Sequence, residues 1–230
     1  MNQGHDVTET SASNQSKDLP MTEKNTQQDM ESVIKEFEKK CEEKPNSFIA
    51  HHHLALIYRK AGRTADAIKE LQKTIEIDPL SVEALINLGA IYFESGDLDN
   101  ALAANEAVLR VAPESAQAHT NLGLIWQQKG DIEKAINAYT DATRHDPKLN
   151  TPWVNLATAQ IMAGNNEAAL EAGLEAIALD PDFPMAQNNL AVALFYTGDH
   201  AKAKIHAEKA QDLGYAVDPR FLAAINEALQ

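Results

Sequence analysis

From residue 48 to residue 215 the apolar positions recur in a unit of 34 residues, and each unit holds two runs with helical spacing. In the unit 82–115 the first run carries Leu85, Leu88, Gly89 and Tyr92 on one face. Gly96 ends that run, because glycine accepts turn conformations that other residues resist. Asp97 follows as the predicted N-cap of a second run, in which Leu98, Ala101, Leu102 and Val108 face inward. Pro113 closes the unit, since proline has no N–H to donate and disfavours a helical residue before it. The small Gly89 and Ala101 let the two helices approach closely.

The same skeleton returns along the chain. Glycine recurs at Gly62, Gly96, Gly130, Gly164 and Gly198, and proline at Pro45, Pro79, Pro113, Pro147 and Pro181. Leucine keeps the interval at Leu54, Leu88, Leu122, Leu156 and Leu190, and alanine at Ala67, Ala101, Ala135, Ala169 and Ala203. Four residue types in phase predict five tandem helix pairs, at 48–81, 82–115, 116–149, 150–183 and 184–215. No single pair covers its own apolar faces, so stacking supplies the core. The expected fold is an all-α solenoid.

The flanks differ. Residues 29–45 place Val33, Ile34, Phe37 and Cys41 at helical spacing and predict a lone helix ended by Pro45. Residues 1–28 are rich in Ser, Thr, Asn, Gln and acidic groups and predict a disordered polar tail, with Met21 as an alternative translation start. Within residues 216–230, Phe221, Leu222 and Ile225 share one side of a predicted helix that would cap the apolar end of the stack.

Charge narrows the choice of partners. The formal net charge of −14 argues against nucleic acid and against an anionic membrane surface. Between Lys148 and Lys202 there is no Lys or Arg, while Glu167, Glu171, Glu175, Asp180, Asp182 and Asp199 intervene. That run is either a solvated acidic flank or a docking patch for a basic partner. Cys41 is the sole cysteine, which excludes an intramolecular disulfide and suits a structural thiol in a reducing compartment. The start MNQGHDVTETSASNQ has neither the basic nor the apolar run of a secretory signal. No segment approaches the roughly 20 apolar residues of a membrane span. A cytoplasmic location is the expectation.

The order Leu-Gly or Leu-Ala, aromatic, Gly, Ala, aromatic and Pro at fixed offsets resembles the tetratricopeptide-repeat family. The match is best in 116–149, through Leu122, Gly123, Trp126, Gly130, Ala135, Tyr139, Ala142 and Pro147. It weakens toward the C-terminus. Gln160 and Gly173, then Leu194 and Ala207, stand at aromatic positions, and Tyr215 replaces the last proline, so thinner packing is expected there. The resemblance implies a right-handed superhelix whose first helices line a concave groove. It implies a non-enzymatic adaptor or scaffold that binds a peptide segment of another protein. The alternative is a self-assembling module, a homo-oligomer, or an assembly factor for a multiprotein complex.

Groove offsets carry over residue by residue. Asn87, Asn121, Asn155 and Asn189 keep the repeat interval, with His53 in the first unit. An amide both donates and accepts, so this row can pair with the backbone of an extended peptide, as an asparagine ladder does in the O-linked N-acetylglucosamine transferase array. The same asparagines could instead bond locally. Phe93, Leu124, Ile161, Met162 and Phe195 are the expected apolar anchors. Of the basic groups that clamp a C-terminal carboxylate in some family members, only Arg59 and Lys60 are candidates, which argues against that subtype.

Catalytic and cofactor signatures are not found. His51, His52 and His53 are consecutive, so on a helix they point about 100° apart and cannot converge on one ion. His51 is expected at a core edge. The sequence holds no Gly-rich phosphate loop, CxxC pair or GxSxG elbow. No metal, no cofactor and no enzymatic activity are expected.

Overall fold

The computed structural model describes the backbone of residues 21–230 and the side chains from residue 29 onward. Helix α1 spans Met21–Glu43. The five pairs follow as α2 (Phe48–Lys60) with α3 (Thr64–Ile77), α4 (Val82–Glu94) with α5 (Leu98–Val111), and α6 (Ala116–Gln128) with α7 (Ile132–His145). Then come α8 (Asn150–Ala163) with α9 (Asn166–Leu179), α10 (Pro184–Tyr196) with α11 (His200–Asp212), and a final α12 (Pro219–Ala228). Among the described residues there is no strand, and the architecture is an all-α solenoid. Helix α1 begins at Met21 rather than near residue 29. Of the predicted polar tail, residues 1–20 lie outside the described residues.

The repeat signature builds the core. Leu54, Leu88, Leu122, Leu156 and Leu190 are all buried, and Ala67, Ala101, Ala135, Ala169 and Ala203 are fully so. The turns follow from backbone chemistry. Gly130 adopts φ 81°, in the left-handed region. Its N–H bonds to Gln127 O at 3.1 Å, and Asp131 N reaches Trp126 O at 2.9 Å, so the last carbonyls of α6 are satisfied. A Cβ at Gly130 would meet nothing within 4 Å, so the demand is conformational rather than steric. Asp97, Asp131 and Asp199 then cap α5, α7 and α11, accepting from Asn100 N, Lys134 N and Lys202 N at 3.2, 3.2 and 3.1 Å.

A second periodic device sits at the proline turns. His51 Nε2, His119 Nε2, Trp153 Nε1 and Gln187 Nε2 donate to the carbonyls of Pro45, Pro113, Pro147 and Pro181, at 3.1, 3.0, 3.0 and 2.6 Å. Each donor lies six residues after its proline, and Leu85 holds this offset in the remaining unit. The side chains look unrelated in sequence, yet all four supply an N–H to a carbonyl at a helix junction.

Repeats four and five pack differently from the expectation. Ala157, Ala159, Ala172, Ala176, Ala191, Ala193 and Ala207 are all buried to 2% exposure or less. With small side chains on both sides, α9 packs against α10 more closely than α3 against α4 or α5 against α6, and about as closely as α7 against α8. Close approach thus replaces the missing aromatic rings.

Both ends are closed. Helix α1 stands where the second helix of a preceding repeat would, with Ile34 buried against α2 and α3 residues. Tyr58 Oη donates to Glu38 Oε1 at 2.6 Å across that junction. At the other end α12 buries Ile225 and lays Phe221 and Leu222 on the cluster formed by α10 and α11.

Candidate peptide-binding groove

The first helices of neighbouring repeats, α4, α6, α8 and α10, touch in succession, whereas no two second helices pack to that extent. The shorter inner side of the stack is therefore the face of the first helices, and the second helices form the outer side. The four asparagines lie on first helices, but their amides are not equivalent. Asn87 Nδ2 donates to His52 Nε2 at 3.1 Å. Asn121 Nδ2 donates to Asn105 Oδ1 at 3.0 Å, while its Oδ1 accepts from Gln117 Nε2 at 3.0 Å. Asn155 is half-buried and stands outside these bonds. Asn189 is buried, and its Nδ2 donates to Val154 O at 3.2 Å and to Thr158 Oγ1 at 2.8 Å. Asn87, Asn121 and Asn189 thus all bond locally, the alternative to a peptide-pairing row, and Asn189 is the one whose amide is committed between α8 and α10. One of its two acceptors, Thr158, is a hydroxyl residue at an offset held by Leu56, Ala90, Leu124 and Val192 elsewhere.

The apolar anchors also separate. Phe93 and Leu124 line one notch of about 90 Å³ between α4 and α6, together with Gly89, Ala90, Asn105, Asn121, Ile125 and one carboxylate, Glu94, which pairs with Arg59. The side chain that Gly89 lacks would meet the Asn105 amide at 2.6 Å, so this glycine admits Asn105 to the base of the notch. Ile161 is half-buried and Met162 is 56% exposed at the end of α8. Phe195 does not join them. Its ring packs edge-on against Phe221 of the capping helix at 5.5 Å, and it contacts Tyr196 and His200 as well.

Family models described as tetratricopeptide repeat match residues 27–124, 116–149 and 154–214. The chain belongs to the tetratricopeptide-repeat family. No curated protein matches its sequence. Among solved structures it resembles a MamA protein at 22% identity, covering 75% of this chain and 98% of that one, with a TM-score of 0.65. It resembles YrrB, described as a TPR protein with an unusual peptide-binding site, at 19% identity over 83% and 97% of the two chains, with a TM-score of 0.66. The pilF protein of Pseudomonas aeruginosa is 20% identical over 79% and 84%, with a TM-score of 0.68. At these identities the likeness establishes the fold.

Within the TPR array the acidic run is partly neutralised in space. Lys209 reaches Asp182 at 3.2 Å and Lys202 reaches Asp199 at 2.7 Å, both from α11. Glu167, Glu171 and Glu175 remain exposed on α9, a second helix of the outer side. Among the described residues, no helix is long and apolar enough to cross a membrane.

A polar clasp joins the first three helices. His51 Nδ1 lies 2.6 Å from Glu70 Oε2, and the ligand atoms of Cys41, His51 and Glu70 all fall within 4.8 Å of one another. Burial, then the nearby Glu70, raises the Cys41 thiol pKa, so this buried sulfur stays a neutral thiol. Of the three consecutive histidines, only His51 enters this group. It is already engaged on both ring nitrogens, by Glu70 and by Pro45 O.

Two other histidines carry a pH dependence. His52 accepts the Asn87 amide on Nε2, and burial, then His53, lowers its pKa from 6.5 against the opposing pull of Glu83. His206 Nδ1 donates to Gln187 Oε1 at 2.6 Å, and burial, then Lys209 and Lys202, lowers its pKa from 6.5. The unfolded chain therefore binds protons at these sites more readily than the folded one. Their contribution is present above the unfolded value and is lost as pH falls through the folded values. Replacing both with glutamine is expected to flatten the decline in urea midpoint between about pH 7 and about pH 5.

Proposed function

We propose that this chain is a non-enzymatic scaffold that holds a peptide segment of another protein against the concave face of its first helices. The notch between Phe93 and Leu124, opening beside the amide of Asn121, carries this reading. It offers an apolar seat beside an amide that, with one N–H given to Asn105 and one lone pair taken by Gln117, keeps a second N–H and a second lone pair for a peptide backbone. Asn155 and the exposed Met162 continue the surface along α8. YrrB, described as having a peptide-binding site, shares the fold and supports the reading by analogy.

The experiment is affinity capture from native extract with the wild-type chain and with an Asn121→Ala, Leu124→Ala, Asn155→Ala variant. Asn189 is left intact because its amide is structural. A partner retained by the wild type and lost by the variant, with both proteins equally helical, is the expected result. Equal recovery would move the binding surface elsewhere.

A further inference from the structure

The charge of this chain is unevenly placed. Helices α6, α8 and α10 carry no Asp, Glu, Lys or Arg, in a protein of net charge −14. These are three successive first helices, so the inner wall they form is uncharged over its length. Their exposed positions are Gln117, Gln128, Thr151, Met162, Ala163, Met185 and Tyr196. Charged groups on first helices are confined to Arg59, Lys60, Glu83 and Glu94 on α2 and α4, and Arg59 pairs with Glu94 at 2.5 Å.

We infer that the bound segment is an uncharged, extended stretch of another protein, anchored by one aliphatic side chain in the Phe93–Leu124 notch. The inference rests on the groove reading above and supplies the chemistry of its ligand. A cavity of about 150 Å³ takes a benzene ring, so the notch of about 90 Å³ suits a smaller branched aliphatic group. Beyond the notch, a Lys, Arg, Asp or Glu laid on this wall would lose hydration and find no counter-charge. Amides and hydroxyls there serve a neutral polar backbone and neutral side chains without that loss. The exposed carboxylates of α9 lie on the outer side, so a basic segment would be drawn away from the groove rather than into it.

The test uses the full chain and a random peptide display library. Selections run in parallel on the wild type, on Leu124→Asp and on Met162→Asp, with circular dichroism checking the fold of each. Met162 is mostly solvent-exposed, so that variant keeps the test valid if Leu124→Asp unfolds. The expected outcome is a set of peptides enriched on the wild type and lost on the folded variants. They should contain fewer Asp, Glu, Lys and Arg than the unselected library and share an aliphatic residue. Their affinity should change less than about twofold between about 50 and about 500 mM NaCl, because no ion pair is screened. Peptides lost on the variants but rich in Lys and Arg, with steep salt dependence, would overturn the neutral-ligand inference and leave the groove reading standing. No enrichment, or enrichment indifferent to both variants, would overturn the groove reading itself.

Discussion

Gly123→Ala is expected to lower stability by about 3 kcal/mol, the upper part of the range for an overpacked core. A Cβ at this position would lie 2.5 Å from Cδ1 and 2.8 Å from Cζ of the Tyr139 ring. That ring is fully buried, and its hydroxyl donates to Gln127 Oε1 at 3.1 Å, so it has no open direction in which to yield. The added methyl must separate α6 from α7 or expel the tyrosine. Gly173→Ala is the control. Its Cβ would meet Leu190 at 3.4 to 3.5 Å, ordinary packing distances. The gain from removing a glycine inside a helix is about 0.5–1 kcal/mol, so that variant is expected to be more stable than wild type. Urea unfolding followed by circular dichroism measures both. In a Tyr139→Leu background the penalty at Gly123 should shrink, and a penalty unchanged there would show that the ring is not its cause.

Asn189→Ala is expected to cost about 1 kcal/mol, because it removes the amide donor from the Thr158 hydroxyl and one of the donors to Val154 O, which keeps the Thr158 Oγ1–H bond at 3.0 Å. Asn155→Ala should stay within about 0.5 kcal/mol of wild type, since its amide enters none of these bonds. For ligand binding the order reverses: Asn155→Ala weakens it, while Asn189→Ala, refolded and intact, leaves it unchanged at the notch. Equal stability losses at the two positions would mean that the asparagines form one equivalent ladder after all.

This contrast shows how far the chain can be read without coordinates. Gly130, Pro113 and Leu122 act through backbone conformation and burial, which are set by residue type and spacing. The helix pairs were therefore legible. The asparagines share an offset, but what each amide does depends on the partner facing it. A hydroxyl at Thr158 is one of two acceptors for Asn189, and a buried amide at Asn105 takes Asn121. The contact of Phe195 with Phe221 was not legible for the same reason, because it comes from a helix that no repeat contains. The donors to the proline carbonyls went unseen since His, Trp and Gln share only an N–H. The clue was Trp153, a donor without acceptor capacity, six residues after a proline. The clasp of Cys41, His51 and Glu70 comes from three helices, and spacing within any one of them gives no sign of it. The uncharged wall, by contrast, lay open in the sequence, as three first helices without a charged residue.

The concave face is tested most directly by site-specific photocrosslinking. A photoreactive amino acid placed at Met162, exposed on α8, is compared with one at Ile205, exposed on α11 of the outer side. After irradiation in native extract, the account predicts a discrete adduct from position 162 that peptides selected on the groove compete away, and none of comparable yield from position 205. An adduct formed from position 205 alone, or formed equally from both, would contradict it.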